Sequence, residues 1–345
     1  MKKHKKLITF TIPCYNSEEY MRHSIDSILI GGEDVEIIII DDGSTKDKTA
    51  EIADEYQEKY PTICRAVHQE NGGHGAGVNM GIKLATGKYF KVVDSDDWVD
   101  EIAYRKIIEQ LKEFETSGTN IDLLICNYVY EKVTEGIQKV VNYKKALPSN
   151  QLFSWDDIGY FGPNEFFIMH SLIYKTQVLW DSKVELPKHT FYVDSIFATI
   201  PLKYTRNLYY MPVDFYRYYI GRDDQSVNTD ILMKRIDQYI LVNTIICENL
   251  NIEETDAISP KLTHYIYRFI RILSLIATIF LKMSGTEENE QKRKDYWAMI
   301  KRIQPKLYPR IRLYMGNLPG NLPGPLGPRI ASKSYDLSKV IFKFN

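Results

Sequence analysis

The sequence predicts an α/β protein with a mostly parallel central sheet flanked by helices and a C-terminal helical subdomain. Three observations carry that expectation. Short apolar runs alternate with helical patterns from Leu7 to Phe114. Val35-Glu36-Ile37-Ile38-Ile39-Ile40 is too uniformly β-branched for a half-exposed strand and fits one covered on both faces. From Ile231 to Ile303 the periodicity is helical.

Leu7–Ile12 reads as the first strand, broken by Pro13-Cys14-Tyr15-Asn16, with Ser17 expected to cap a helix reaching about Leu29. Val35–Ile40 is the second strand and runs into Asp41-Asp42-Gly43-Ser44-Thr45. A helix over Lys48–Tyr60 returns the chain to a third strand, Ile63–His68. The Gly-rich stretch Asn71–Gly81 follows and leads into a helix over Ala76–Ala85. It lacks both the dinucleotide fingerprint and the Walker lysine, so it reads as a loop that lets backbone approach a phosphate or ring, with His74 as a loop residue.

Lys88–Val93 is the next strand, and it ends in Asp94, Asp96 and Asp97. Trp98–Phe114 is expected to be helical, Ile121–Tyr130 a strand, and Glu131–Gln151 a hairpin or excursion. Asp194 stands among Phe191, Tyr192, Val193, Ile196 and Phe197, where an acid either caps a helix or is a partly buried base with a raised pKa. Helices are expected over Ile231–Asn249, Pro260–Met283 and Glu287–Ile303. Leu318–Pro328 is a Pro/Gly-rich strap, and an amphipathic tail beyond it docks on the protein, on a second subunit or on a membrane surface. The expected domains are 1–228, with a nucleotide-binding half to about residue 100 and an acceptor half after it, then 229–317, then the strap and tail, 318–345.

In parallel sheets ligands bind beyond the carboxyl ends of the strands. Here three strand ends carry Pro13-Tyr15-Asn16, Asp41-Asp42 and Asp94-Asp96-Asp97, so these groups should converge. Crowded carboxylates repel, and a hard divalent cation such as Mg²⁺ or Mn²⁺, shared between acids and phosphates, would relieve them; the alternative for the last set, taken alone, is an acidic turn capping the helix that starts near Asp100. Across 345 residues, 44 Lys plus Arg nearly balance 45 Asp plus Glu, which argues against a nucleic-acid partner. The 4 cysteines form no CxxC pair, and no apolar run is long enough to span a bilayer. A cytoplasmic protein is expected, with peripheral contact at the inner face of the membrane as an option, and with dimerisation through Ile272–Leu281 as another.

Ile12-Pro13-Cys14-Tyr15-Asn16, Ile40-Asp41-Asp42-Gly43-Ser44-Thr45, Asn71-Gly72-Gly73 with Asn79-Met80-Gly81, Gly87-Lys88-Tyr89 and Val93-Asp94-Ser95-Asp96-Asp97-Trp98 together resemble the family 2 glycosyltransferases with the GT-A fold. The resemblance implies inverting transfer of a single sugar from a nucleotide sugar, most often a UDP-sugar, to a hydroxyl on a glycan, lipid-linked or protein-linked acceptor. By the same resemblance Pro13, Tyr15, Asp41, Asp42, Asn71 and Asp94 hold the nucleotide and Asp96 holds Mn²⁺ or Mg²⁺. Asp194 takes the place of the catalytic base, although Val193 stands where the family has a first acid. No QxxRW motif is present, which speaks against a processive synthase. The segment Tyr216–Val227 resembles a mobile loop of such transferases, in which Arg217 or Arg222 either covers the diphosphate or belongs to a solvated basic loop. The competing reading is a nucleotide-sugar-binding partner subunit that has lost catalysis.

Overall fold

A computed structural model describes residues 6–133, 135–162, 165–220 and 233–314, together with 317, 321 and 332. The chain divides into two compact units, Met1–Arg222 and Asp223–Asn345. The 318–328 strap apart from Asn321, nearly all of the tail and Arg222 fall outside the described residues.

The first unit is built on one sheet. Its strands are β1 (Lys6–Cys14), β2 (Val35–Asp41), β3 (Cys64–His68), β4 (Gly87–Val92), β5 (Trp98–Val99), β6 (Leu123–Lys132), β7 (Ile137–Val141), β8 (Leu152–Phe153), β9 (Leu172–Lys175) and β10 (Leu208–Tyr219). The main path runs β3-β2-β1-β4-β9-β6-β10-β5, with β7 on β6 and β8 on β10. Strands β3, β2, β1 and β4 are mutually parallel, as are β6 and β10. Strand β9 runs antiparallel to both β4 and β6 and so joins the two parallel halves in a common direction. Strands β1, β2, β4, β6 and β10 therefore all end at one edge, which is where ligands collect in such sheets.

Every residue of β2 is buried, because helices α1 (Met21–Leu29), α2 (Thr49–Lys59), α3 (His74–Leu84) and α4 (Glu101–Ser117) cover the sheet. Ile8, Phe10, Ile12, Ile37 and Ile39 form one core with Ile25 and Ile28 of α1 and Tyr104, Ile107 and Leu111 of α4. Each such aliphatic side chain contributes about 1.5–3 kcal/mol on burial, which makes this half a firm platform for its strand ends. Helix α4 starts at a clear signal: the Asp100 carboxylate accepts the Ala103 N–H at 3.0 Å, and Gly118 ends the helix at φ 69°.

Some local expectations change. Ser17 does not cap α1, whose N-cap is Tyr20; its Oγ instead accepts the Tyr15 N–H at 3.1 Å and meets Ser95 Oγ at 2.9 Å, tying the β1 turn to the acid run. Trp98 is not helical, since Trp98 and Val99 pair antiparallel with Arg217 and Tyr216 of β10. Helix α3 begins two residues earlier than expected, at His74. Residues 131–151 do contain a hairpin arm, β7. Tyr216–Tyr219 belongs to β10 rather than to a loop.

The second unit contains α7 (Ile236–Asn249), α8 (Ile252–Ile258), α9 (Pro260–Met283), α10 (Glu287–Ile303) and α11 (Tyr308–Arg312), after the short helices α5 (Thr176–Ser182) and α6 (Asp194–Thr199) of the first. Helix α9 is the centre of the unit and packs on α7, α8 and α10. Ser259 caps it through the Lys261 N–H, and Pro260 at its first position loses no bond. In the run Ile272–Leu281, Leu273, Ala277, Ile279, Phe280 and Leu281 are buried inside the unit, while Ile272, Leu275 and Ile276 are half-buried. No helix among the described residues is long and apolar enough to cross a membrane.

Candidate active site

The strand ends place the polar groups as the sequence leads one to expect. Asp42, just after β2, is buried and ties the β2 end to the Gly-rich loop. Its Oδ1 accepts from Gln69 Nε2 at 2.6 Å and from the Gly72 N–H at 3.0 Å, and its Oδ2 accepts from the Gly73 N–H at 2.7 Å. Asn71 Nδ2 donates back to the Asp42 carbonyl at 2.9 Å. Asp41 turns the other way: Oδ1 accepts the Ser44 N–H at 3.0 Å, and Oδ2 lies 3.0 Å from His68 Nδ1. Pro13 closes β1 against Gly77, and Tyr15 in the turn that follows is half exposed. Asn16, at φ 49°, accepts the Thr45 and Lys46 N–H groups on its side-chain oxygen and so shapes the loop after Asp42.

The acid run is held from the far half of the sheet. Tyr216 of β10 donates its hydroxyl to Asp97 Oδ2 at 2.6 Å and accepts the Asp94 N–H at 3.1 Å. The Tyr219 N–H donates to Asp97 Oδ1 at 2.8 Å. Burial, together with the charges of Asp96 and Asp94, pushes the Asp97 pKa well up. Under the Tyr216 ring, at 4.7 Å from its centroid, sits the ammonium of Lys91, which donates to the Met169 and His170 carbonyls at 2.9 and 2.7 Å. Lys91 is fully buried in β4, and burial drives its pKa down to about 7. His170 stacks on Tyr216 at 4.4 Å, and burial drives its pKa down to about 3, so its imidazole is neutral.

Asp94 meets His74 across the crevice, with Nε2 2.8 Å from Oδ1. Burial acts to raise the Asp94 pKa, but the imidazole charge and hydrogen bond outweigh it and bring the value down to about 2. For His74 burial acts downward, and the charges of Asp94, Asp194 and Asp96 more than reverse it, so its pKa is raised. Asp194 is the first residue of α6 rather than the residue before it, which is Val193. Burial raises its pKa, against the charge of His74.

Among the described residues, the acids and histidines able to share an ion are Asp94, Asp97 and His170, whose ligand atoms lie within 4.8 Å of one another. The buried His170 Nδ1 has no hydrogen-bond partner. Carboxylate oxygens suit Mg²⁺ or Mn²⁺, so this donor set fits such an ion. Asp96, expected to hold the ion, is half-buried on the same turn and outside that trio. Arg217 does not reach toward the crevice as a free cation: its guanidinium bridges Glu131 at 2.9 Å and Asp100 at 2.7 Å. Tyr216, Lys91 and His170 are the site residues that sequence reasoning missed. The signal for one was present, a lysine flanked directly by Phe90 and Val92.

A mostly parallel sheet whose carboxyl edge gathers these acids, followed by helices, is the GT-A fold. Residues 9–171 match the family described as Glycosyl transferase family 2. Among curated relatives it is 32% identical over 199 residues to the minor teichoic acid biosynthesis protein GgaA of Bacillus subtilis, a match covering 55% of this chain and 42% of that one. The chain thus spans less than half of that relative. Among solved structures, S. aureus TarS in complex with UDP-GlcNAc aligns with a TM-score of 0.66 at 16% identity, over 96% of this chain and 92% of that one. The mannosyltransferase PcManGT of Pyrobaculum calidifontis, in complex with GDP-Man and Mn²⁺, aligns with a TM-score of 0.51 at 12% identity, over 99% and 89%. At these identities the two structures show the fold.

Proposed function

We propose that the chain is an inverting hexosyltransferase that moves one sugar from a nucleotide sugar, a UDP-sugar, to a hydroxyl of a surface-glycan acceptor, lipid-linked or protein-linked. The observation that carries the reading is geometric: at the carboxyl edge of the sheet the Gly-rich loop, held by Asp42, brings His74 Nε2 to 2.8 Å from Asp94 Oδ1 at the head of the acid run. Pro13, Tyr15, Asp41, Asp42, Asn71 and Asp94 line the nucleotide side. GgaA, named for teichoic acid biosynthesis, and TarS, solved with UDP-GlcNAc, support the acceptor and donor classes.

Asp194 is the general base. A half-buried carboxylate with a raised pKa is a better proton acceptor at neutral pH than a solvated one. It removes the proton from the acceptor hydroxyl as that oxygen attacks the anomeric carbon from the face opposite the nucleotide; the bond to the diphosphate breaks, and one displacement inverts the centre. Asp94, which belongs both to the acid run and to the trio with Asp97 and His170, would hold Mn²⁺ or Mg²⁺, with Asp96 on the same turn completing its ligands from the open side; the ion would supply charge neutralisation to the leaving diphosphate. Tyr216 keeps the acid run fixed from below, and Asp42 keeps the Gly-rich loop closed on the crevice.

Asp194→Asn tests the assignment. Transfer should fall by on the order of 10²- to 10⁴-fold while UDP affinity is retained. Near-normal turnover would remove Asp194 from the mechanism.

A further inference from the structure

The Gly-rich loop has a property that the proposed chemistry leaves unused. Its glycines are required by close packing: Gly73 sits at φ +81° with a Cβ position 3.1 Å from the His189 nitrogen, and a Cβ on Gly75 would stand 2.9 Å from that of Leu186. The loop is also fixed on both sides. Asp42 accepts the Gly72 and Gly73 N–H groups, and the Gly72 carbonyl accepts the His189 N–H at 2.7 Å. Between two positions that exclude side chains stands His74, with Nε2 2.8 Å from Asp94 Oδ1. The rest of Asp94 is fixed as well: its N–H is held by Tyr216 and its carbonyl accepts from Ser24 Oγ at 3.3 Å.

We infer that His74 is a positioning residue for the donor site: the rigid glycine loop delivers its Nε2–H to Asp94 Oδ1, which fixes the carboxylate rotamer and leaves Oδ2 to face the nucleotide. A carboxylate without that donor is free to rotate about χ2, a broad torsion, and meets the ligand in a spread of orientations. This rests on the nucleotide-sugar reading of the same site and adds the residue that orients its first acid.

The contact is made by Nε2, and this gives a geometric test. A glutamine amide reaches as far as Nε2, whereas an asparagine amide reaches only as far as Nδ1, and both lack the imidazole charge. UDP binding is measured by calorimetry on wild type, His74→Gln, His74→Asn and His74→Ala, with a thermal melt of each to establish folding. The expected result is affinity within about threefold of wild type for Gln, and losses on the order of tenfold for both Asn and Ala at unchanged melting temperature. Equal affinities in Gln, Asn and Ala, whether high or low, would overturn the inference while leaving the donor reading in place. Absence of UDP binding by wild type would overturn the donor reading and the inference with it.

Discussion

Tyr216→Phe isolates the hydroxyl that joins the two halves of the sheet. The ring stays, and with it the Lys91 contact at 4.7 Å and the His170 stack at 4.4 Å, so apolar packing is preserved. What is lost is the donor to Asp97 Oδ2 at 2.6 Å and the acceptor of the Asp94 N–H at 3.1 Å. Asp97 is 1% exposed, so water does not replace the donor, although the Tyr219 N–H still reaches its other oxygen. Leaving a buried polar group without its partner costs about 1–3 kcal/mol, and two groups are affected, which gives about 2–6 kcal/mol. Urea denaturation of the two proteins, with equal m-values, reads that difference directly. UDP affinity should fall in parallel, on the order of tenfold, because Asp94 loses its backbone anchor. A stability change below about 0.5 kcal/mol with unchanged UDP affinity would refute the view that Tyr216 holds the acid run.

Two further perturbations address other parts of the site. Asp42→Ala strips the acceptor from Gln69 Nε2 and from the Gly72 and Gly73 N–H groups, so it should cost about 2–4 kcal/mol in urea and abolish tight UDP binding; full affinity would show that the loop closes without it. Lys91 has its folded pKa driven down to about 7, while an unfolded lysine keeps its proton to about pH 10.4. Between those values the unfolded chain holds the extra proton, so stability rises with pH by up to ~1.4 kcal/mol per unit. Lys91→Met should flatten the stability profile between pH 7 and about 9, and an unchanged slope would show that Lys91 stays charged in the fold.

The fold was legible where local pattern and burial agree. Val35–Ile40 advertised a strand covered on both faces, and every residue of β2 is buried. The acids after β4 announced themselves by following an apolar run, and Asp194 by its apolar neighbours. What supports them was not legible, because it arrives from far along the chain. Tyr216 is 119 residues from Asp97 and 122 from Asp94, and nothing near Tyr216 marks it as an anchor for acids. Trp98 followed helical composition, but the edge of β10 offered it ladder bonds, so tertiary pairing overrode propensity. Ser17 has the chemistry of a cap, and the nearby Tyr15 N–H and Ser95 competed for its hydroxyl.

The central claim is that the acids at the carboxyl edge of the sheet bind a nucleotide sugar with a divalent ion. Binding and hydrolysis of a panel of UDP-sugars, with and without Mn²⁺, on wild type and Asp96→Ala, test it most directly. The account predicts metal-dependent binding or slow hydrolysis of one UDP-sugar by wild type, lost in Asp96→Ala. No metal-dependent binding of any member of the panel, or equal binding by the variant, would contradict it.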